Sequence, residues 1–198
     1  MEPLELLLAA PADASRRRFL QAGAGAALVL GFALPPMTGR VLAAGAPGVF
    51  SPNAYLRLTP DGHVTVVCGS SEMGQGVLTA IPMLLAEELD ADWSQVSVEQ
   101  APADKAYNNP MFGMQATGGS TTVRAHWEPL RKAGAAAREM LVAAAAAQWK
   151  VDAALLRTAD GQVRAPDGRT VGYGALALAA SAQPVPLHPK LKDPKDFR

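Results

Sequence analysis

The feature that most constrains the fold of this chain is an alanine-rich segment in its second half. Residues 133–147 are mostly alanine. Alanine has the highest helix propensity, and its short side chain lets another backbone approach closely. The segment therefore predicts a helix that runs from Ser120 to about Trp149 and packs tightly inside a larger body. Pro129 leaves open whether this helix is kinked or divided in two.

Short alternating segments before this helix predict β-strands. Residues 55–58 and 63–68 flank the turn residues 59–62, Thr-Pro-Asp-Gly, and together they predict a β-hairpin. A helix over residues 78–89 and a third strand over residues 96–100 follow from their periodicity. These elements, with the alanine-rich helix, give an α+β fold.

The rest of the chain contributes a loop and a small C-terminal unit. Residues 101–117 predict a long irregular loop, because prolines, asparagines and a glycine interrupt any periodic pattern. Turn residues at 160–161 and 167–168 predict another hairpin, and residues 173–180 predict a short helix. Residues 184–198 combine prolines with lysines and predict an extended segment.

Two glycine-containing segments precede the predicted helices. We call residues 71–79 the first glycine segment and residues 117–122 the second. Glycine bares backbone N–H groups, and the neighbouring amide and hydroxyl side chains suit an oxygen-rich, anionic ligand. The alternative is structural, because turn glycines and Ser or Thr caps are common at helix starts. The candidate cofactor-binding residues are Gly74, Gln75, Gly76 and Thr79, with Gly118, Gly119, Ser120, Thr121 and Thr122.

Composition excludes several other classes of function. The chain has 18 basic and 18 acidic side chains, so it lacks the basic excess that is typical of nucleic-acid binding. Its single cysteine, Cys68, excludes an internal disulfide and an iron–sulfur cluster built from this chain alone. His63 and His126 have no partners at metal-ligand spacing, so we assign no metal ligand.

The N-terminal residues 1–46 predict a twin-arginine export signal. Arg16 and Arg17 precede an apolar run over residues 22–34, and small residues follow at 41–46. A transmembrane helix or a chance basic patch are the alternatives. The signal predicts a periplasmic protein, with attachment to the inner membrane left open. Because this route carries folded proteins, it favours a complex cofactor.

The motifs together resemble one family, the molybdopterin-binding large subunits of the xanthine dehydrogenase family, in the isoquinoline 1-oxidoreductase beta-subunit and aldehyde dehydrogenase branch. The resemblance rests on the two glycine segments and on residues 127–131 and 133–141. It implies a partial molybdopterin-binding domain over residues 47–183. Residues 184–198 would then be an extended linker, at which the chain is expected to be truncated.

The resemblance also implies a function. The chain would be the N-terminal part of a molybdenum hydroxylase large subunit that binds molybdopterin cytosine dinucleotide. Gln75 and its glycine neighbours would contact the dithiolene and pterin side, and the second glycine segment would bind the phosphate or nucleotide tail. The substrate would be an aldehyde or N-heterocycle. Electrons would pass to a small iron–sulfur subunit that carries the 2Fe–2S clusters, with a cytochrome c subunit as a further candidate partner.

The resemblance supplies no catalytic residue in this chain. In the family the catalytic glutamate lies far towards the C-terminus, beyond the length of this chain, and Glu72 lies in a cofactor loop. The intact subunit would be an oxidoreductase, whereas the chain alone is expected to be inactive. The alternative is a non-catalytic exported module, or a pseudogene remnant, that retains the fold.

Overall fold

The computed structural model describes residues 48–198, and the predicted signal over residues 1–46 lies outside them. The described part of the chain contains three α-helices and two small sheets, which is the predicted α+β class. None of the helices within these residues is long and apolar enough to cross a membrane.

The first sheet forms the base of the fold. It contains four strands in chain order, β1 (Phe50–Asn53), β2 (Leu56–Leu58), β3 (Val64–Cys68) and β4 (Val96–Gln100). β2 and β3 form the predicted antiparallel hairpin, and β4 pairs parallel with β3. β1 was not predicted, because Pro52 indicates a linker. Proline is tolerated there because β1 lies at the edge of the sheet.

Two helices pack closely beside this sheet. Helix α1 (Val77–Leu89) connects β3 to β4, since a parallel pair requires a crossover. Helix α2 (Thr122–Trp149) is one helix of 28 residues with Pro129 inside it. A Cβ added at Gly134 of α2 would lie 2.4 Å from the carbonyl oxygen of Leu85 in α1. The close backbone approach predicted from the alanine-rich segment is therefore confirmed.

The C-terminal unit contains the second sheet and the third helix. The sheet is antiparallel and consists of β5 (Arg157–Ala159), β6 (Gln162–Arg164) and β7 (Thr170–Gly172). Helix α3 (Tyr173–Ser181) follows directly. The buried Tyr173 hydroxyl donates to the Leu89 carbonyl at 2.7 Å. This bond fixes the start of α3 against the end of α1.

Residues 184–198 are extended except for a short turn at Pro194–Asp196. They are bonded to the two long helices. The backbone N–H of Lys192 donates to Glu88 Oε2 at 3.0 Å, and Arg131 donates to the Lys192 carbonyl at 2.9 Å. The Lys192 ammonium lies 2.6 Å from Asp90 Oδ1. Ion pairs and hydrogen bonds therefore hold this segment along α1 and α2.

Candidate functional site

The two glycine segments lie side by side, beyond the carboxyl ends of β3 and β4. Cys68 and Gln100, the last residues of these strands, are paired in the parallel register. The Ser71 N–H donates to Thr117 Oγ1 at 2.8 Å, across 46 positions of sequence. The structure therefore brings both predicted segments into one surface.

A carboxylate occupies the backbone donors of the first glycine segment. The N–H groups of Gly74 and Gly76 donate to Glu72 Oε1 at 2.8 and 3.0 Å. The N–H of Leu78 donates to Glu72 Oε2 at 3.1 Å. Glu72 thus satisfies the start of α1, whose N-cap, Gly76, has no side chain to do so. The expectation of bare N–H groups is wrong for this segment, because its own carboxylate takes them.

These backbone bonds from Leu78, Gly76 and Gly74 lower the pKa of Glu72. Its bonding to the segment is therefore present above the ordinary glutamate pKa and is lost as pH falls through the lowered value. We expect the amide proton shifts of these three residues to titrate together below about pH 4 in an NMR titration. In Glu72→Gln the same shifts should not titrate. A wild-type midpoint at or above the ordinary glutamate value would contradict this assignment.

The side chain of Gln75 is folded over its own segment. Its Oε1 accepts from the Met73 N–H at 2.5 Å, and its Nε2 donates to the Ser71 carbonyl at 2.7 Å. One amide hydrogen and one oxygen lone pair of the exposed Gln75 remain for a ligand. Thr79 lies in the first turn of α1 and lines a separate groove with Met83. The structure therefore does not bring Thr79 together with the other candidates.

The second glycine segment has an unusual backbone that presents donors. Gly119 and Ser120 both have a positive φ, of 58° and 53°, which serine rarely adopts. Thr121 is the N-cap of α2, and its N–H and hydroxyl both donate to the Gly118 carbonyl. Five backbone N–H groups have no hydrogen-bond partner within residues 48–198, those of Gly119, Ser120, Thr122, Val123 and Arg124. Consecutive N–H groups in such a conformation form an anion-binding nest.

Asn109 is a buried residue of the site that sequence reasoning missed. Its side-chain Nδ2 donates to Thr121 Oγ1 at 2.8 Å, so the loop before the second glycine segment is tied to the N-cap of α2. Nothing in the sequence distinguishes Asn109 from its neighbour Asn108, because both precede a proline turn that is typical of exposed loops.

The histidines and the cysteine lie in the core or at its border. Cys68 is buried, as predicted, and burial raises the pKa of its thiol. His63 Nε2 lies 2.8 Å from Ser97 Oγ. His126 is buried, with Nδ1 2.9 Å from the Thr122 carbonyl, and its Nε2 has no partner within residues 48–198. These contacts are structural ones.

The open space and the donors of this surface fit an anionic ligand. Within residues 48–198, no heavy atom lies within 4 Å of the point where a Cβ would stand at Gly74, Gly76 or Gly118. The second glycine segment adds unpaired N–H groups beside that space, which suit phosphate oxygens. The first glycine segment, with its donors bonded to a carboxylate, suits a neutral polar edge instead.

Comparison with known proteins gives one family match. The family model of the molybdopterin cofactor-binding domain matches residues 8–192.

Three curated relatives are similar to the chain. The beta subunit of isoquinoline 1-oxidoreductase from Brevundimonas diminuta is 42% identical over 170 residues, 83% of this chain and 22% of that protein. The membrane-bound aldehyde dehydrogenase (pyrroloquinoline-quinone) of Gluconacetobacter polyoxogenes is 36% identical, covering 66% of this chain and 17% of that protein. A nicotinate dehydrogenase subunit of Pseudomonas putida is 32% identical, covering 65% and 10%. The chain therefore spans about a fifth or less of these relatives' length.

Two solved structures are also similar to it. Quinoline 2-oxidoreductase from Pseudomonas putida 86 has a TM-score of 0.49 and 20% identity, covering 64% of this chain and 15% of that one. CO dehydrogenase from Oligotropha carboxidovorans has a TM-score of 0.49 and 24% identity, covering 69% of this chain and 17% of that one.

Proposed function

We propose a function from the premise that this chain belongs to the molybdopterin cofactor-binding domain family. The chain holds one side of a molybdopterin cytosine dinucleotide in a molybdenum hydroxylase. The observation that carries the proposal is the bond from Ser71 to Thr117, which joins the two glycine segments into one surface.

The second glycine segment binds the phosphate groups in this proposal. Its unpaired N–H groups point to a ligand with negative oxygens, and the only charged side chain that adjoins them in sequence is Arg124. Arg124 Nε donates to the Ser120 carbonyl at 3.1 Å, so its positive charge lies beside the nest. Both features favour an anion.

The first glycine segment contacts an uncharged part of the cofactor. The negative charge of Glu72 lies among the backbone donors there and would repel a phosphate. The remaining amide hydrogen and lone pair of Gln75 suit the donor and acceptor edge of a pterin. When bound, the cofactor would supply the two-electron oxidation of an aldehyde or an aromatic N-heterocycle.

The proposal extends to partners and location. Two of the relatives are named as subunits, which supports a multi-subunit enzyme. The electrons would pass to an iron–sulfur subunit with 2Fe–2S clusters, and a cytochrome c subunit is a further candidate. The arginines and apolar run of residues 1–46 support export to the periplasm by the twin-arginine route.

A charge change at Ser120 tests the phosphate site. Asp and Asn both tolerate a positive φ and have the same shape, so Ser120→Asp and Ser120→Asn differ mainly in charge. In protein purified after maturation in its host, with any co-purifying subunits, Ser120→Asp should lower bound molybdenum and cytidine nucleotide by about 10-fold through like-charge repulsion. Ser120→Asn should retain both.

Elemental analysis and chromatography of the released nucleotide give the readout. Equal cofactor content in the two Ser120 variants would contradict the phosphate assignment. Absence of both molybdenum and cytidine nucleotide from the matured wild-type protein would overturn the proposed function as a whole.

A further inference from the structure

The turn between Asn109 and Met114 has a tightly bonded backbone. The Asn109 N–H donates to the Met114 carbonyl at 2.9 Å, and the Asn109 carbonyl accepts from Phe112 at 3.0 Å and from Gly113 at 2.9 Å. The side chain of Asn109, which is 1% exposed, anchors the turn to Thr121. Few of its backbone groups depend on solvent, so the turn has one defined conformation.

This ordered turn nevertheless exposes large apolar side chains. Met111, Phe112 and Met114 are 56%, 46% and 60% exposed, and Met73 of the neighbouring first glycine segment is 70% exposed. Soluble proteins rarely leave contiguous apolar side chains on an ordered surface unless the surface binds something. We call Met111, Phe112 and Met114 the apolar wall.

The apolar wall adjoins the unpaired N–H groups of the second glycine segment. The Cζ atom of Phe112 lies 3.7 Å from the point where a Cβ would stand at Gly119. A ligand held by the N–H groups of Gly119 and Ser120 would therefore meet the Phe112 ring. No residue from 106 to 123 carries a charge, so this surface suits an uncharged group attached to the anion.

We propose that the apolar wall packs against a planar nitrogen heterocycle of the ligand, with Phe112 as the stacking residue. This inference rests on the proposed function and adds a specificity-determining contact to it. A pterin or a cytosine has an apolar face and a polar edge. Aromatic rings and methionine thioethers fit the face, while the neighbouring amides and N–H groups serve the edge. Both rings share this chemistry, and the probes below separate them.

The test measures binding of three probes to the full chain by calorimetry, a soluble pterin, cytidine diphosphate and inorganic pyrophosphate. Alanine replacement of a residue that stacks on a base costs about 1–3 kcal/mol. Phe112→Ala should therefore weaken one ring-containing probe by about 10-fold, and the probe affected identifies the ring. Phe112→Trp should retain that affinity, because it preserves the aromatic face. Leu187→Ala, an exposed apolar control in the extended C-terminal segment, should change nothing.

Pyrophosphate has no ring, so its affinity should be the same in Phe112→Ala and wild type. Unchanged affinity for both ring-containing probes in Phe112→Ala would overturn the apolar wall, and retained pyrophosphate binding would leave the proposed function standing. The wall would also be overturned if Phe112→Ala lost only a co-purifying subunit, which would make the turn a protein contact. If wild type bound none of the probes, both proposals would fail together.

Discussion

Replacing Glu88 with alanine should destabilise the protein by about 3–5 kcal/mol, the usual cost of breaking a buried ion pair from one side. Glu88 is fully buried, and its Oε1 accepts from Arg131 Nε at 2.7 Å. Its Oε2 accepts from the Lys192 backbone and lies 3.8 Å from Arg138. The variant would leave two largely buried guanidinium groups without their shared carboxylate.

Chemical denaturation of the full chain measures this effect. Glu128→Ala is the matched control, because Glu128 forms an exposed ion pair with Lys132 on the same helix as both arginines. Such a surface pair contributes less than about 1 kcal/mol. Similar midpoints for Glu88→Ala and Glu128→Ala would show that the buried network does not stabilise the fold.

Replacing Gly134 with alanine should destabilise the protein by about 2 kcal/mol, although alanine is the better helix former. The added Cβ would lie 2.4 Å from the Leu85 carbonyl oxygen and 3.0 Å from the Glu88 Cβ. The nearest atom belongs to the backbone of α1, so the contact is relieved only if the two helices separate. That separation disturbs the core between α1 and α2.

Thermal and urea unfolding would show the loss. Ala143→Gly in the same helix isolates helix propensity, and it should cost at most about 1 kcal/mol. If Gly134→Ala were as stable as wild type, or more stable, the helices would not be in the close contact that the structure shows.

Periodicity was sufficient to predict the elements of this fold. The hairpin of β2 and β3, helix α1 and the long helix α2 are all confirmed, and so is the family expected from the glycine segments. Pairing was not predictable to the same extent. Nothing local indicates that β4 lies parallel to β3, because a parallel pair depends on how the intervening helix packs.

The site was predictable as positions but not as bonds. The glycine segments could be located from composition, yet the partners of their N–H groups depend on where side chains turn. Glu72 takes donors that the pattern assigns to a ligand, and Asn109 is buried although its neighbours indicate a turn. Lys192 meets Glu88 across 104 positions, a separation that no sequence pattern reveals.

The parallel register of β3 and β4 sets the spacing of the ligand surface. Both strands end at this surface, with Cys68 opposite Gln100. A shift of one residue would move one glycine segment relative to the other by about 3.3 Å, roughly the length of a hydrogen bond. The irregular residues 101–117 have no such role along most of their length. Evolution can therefore vary that loop in length more freely than either strand, and the strands act as the ruler between the two halves of the site.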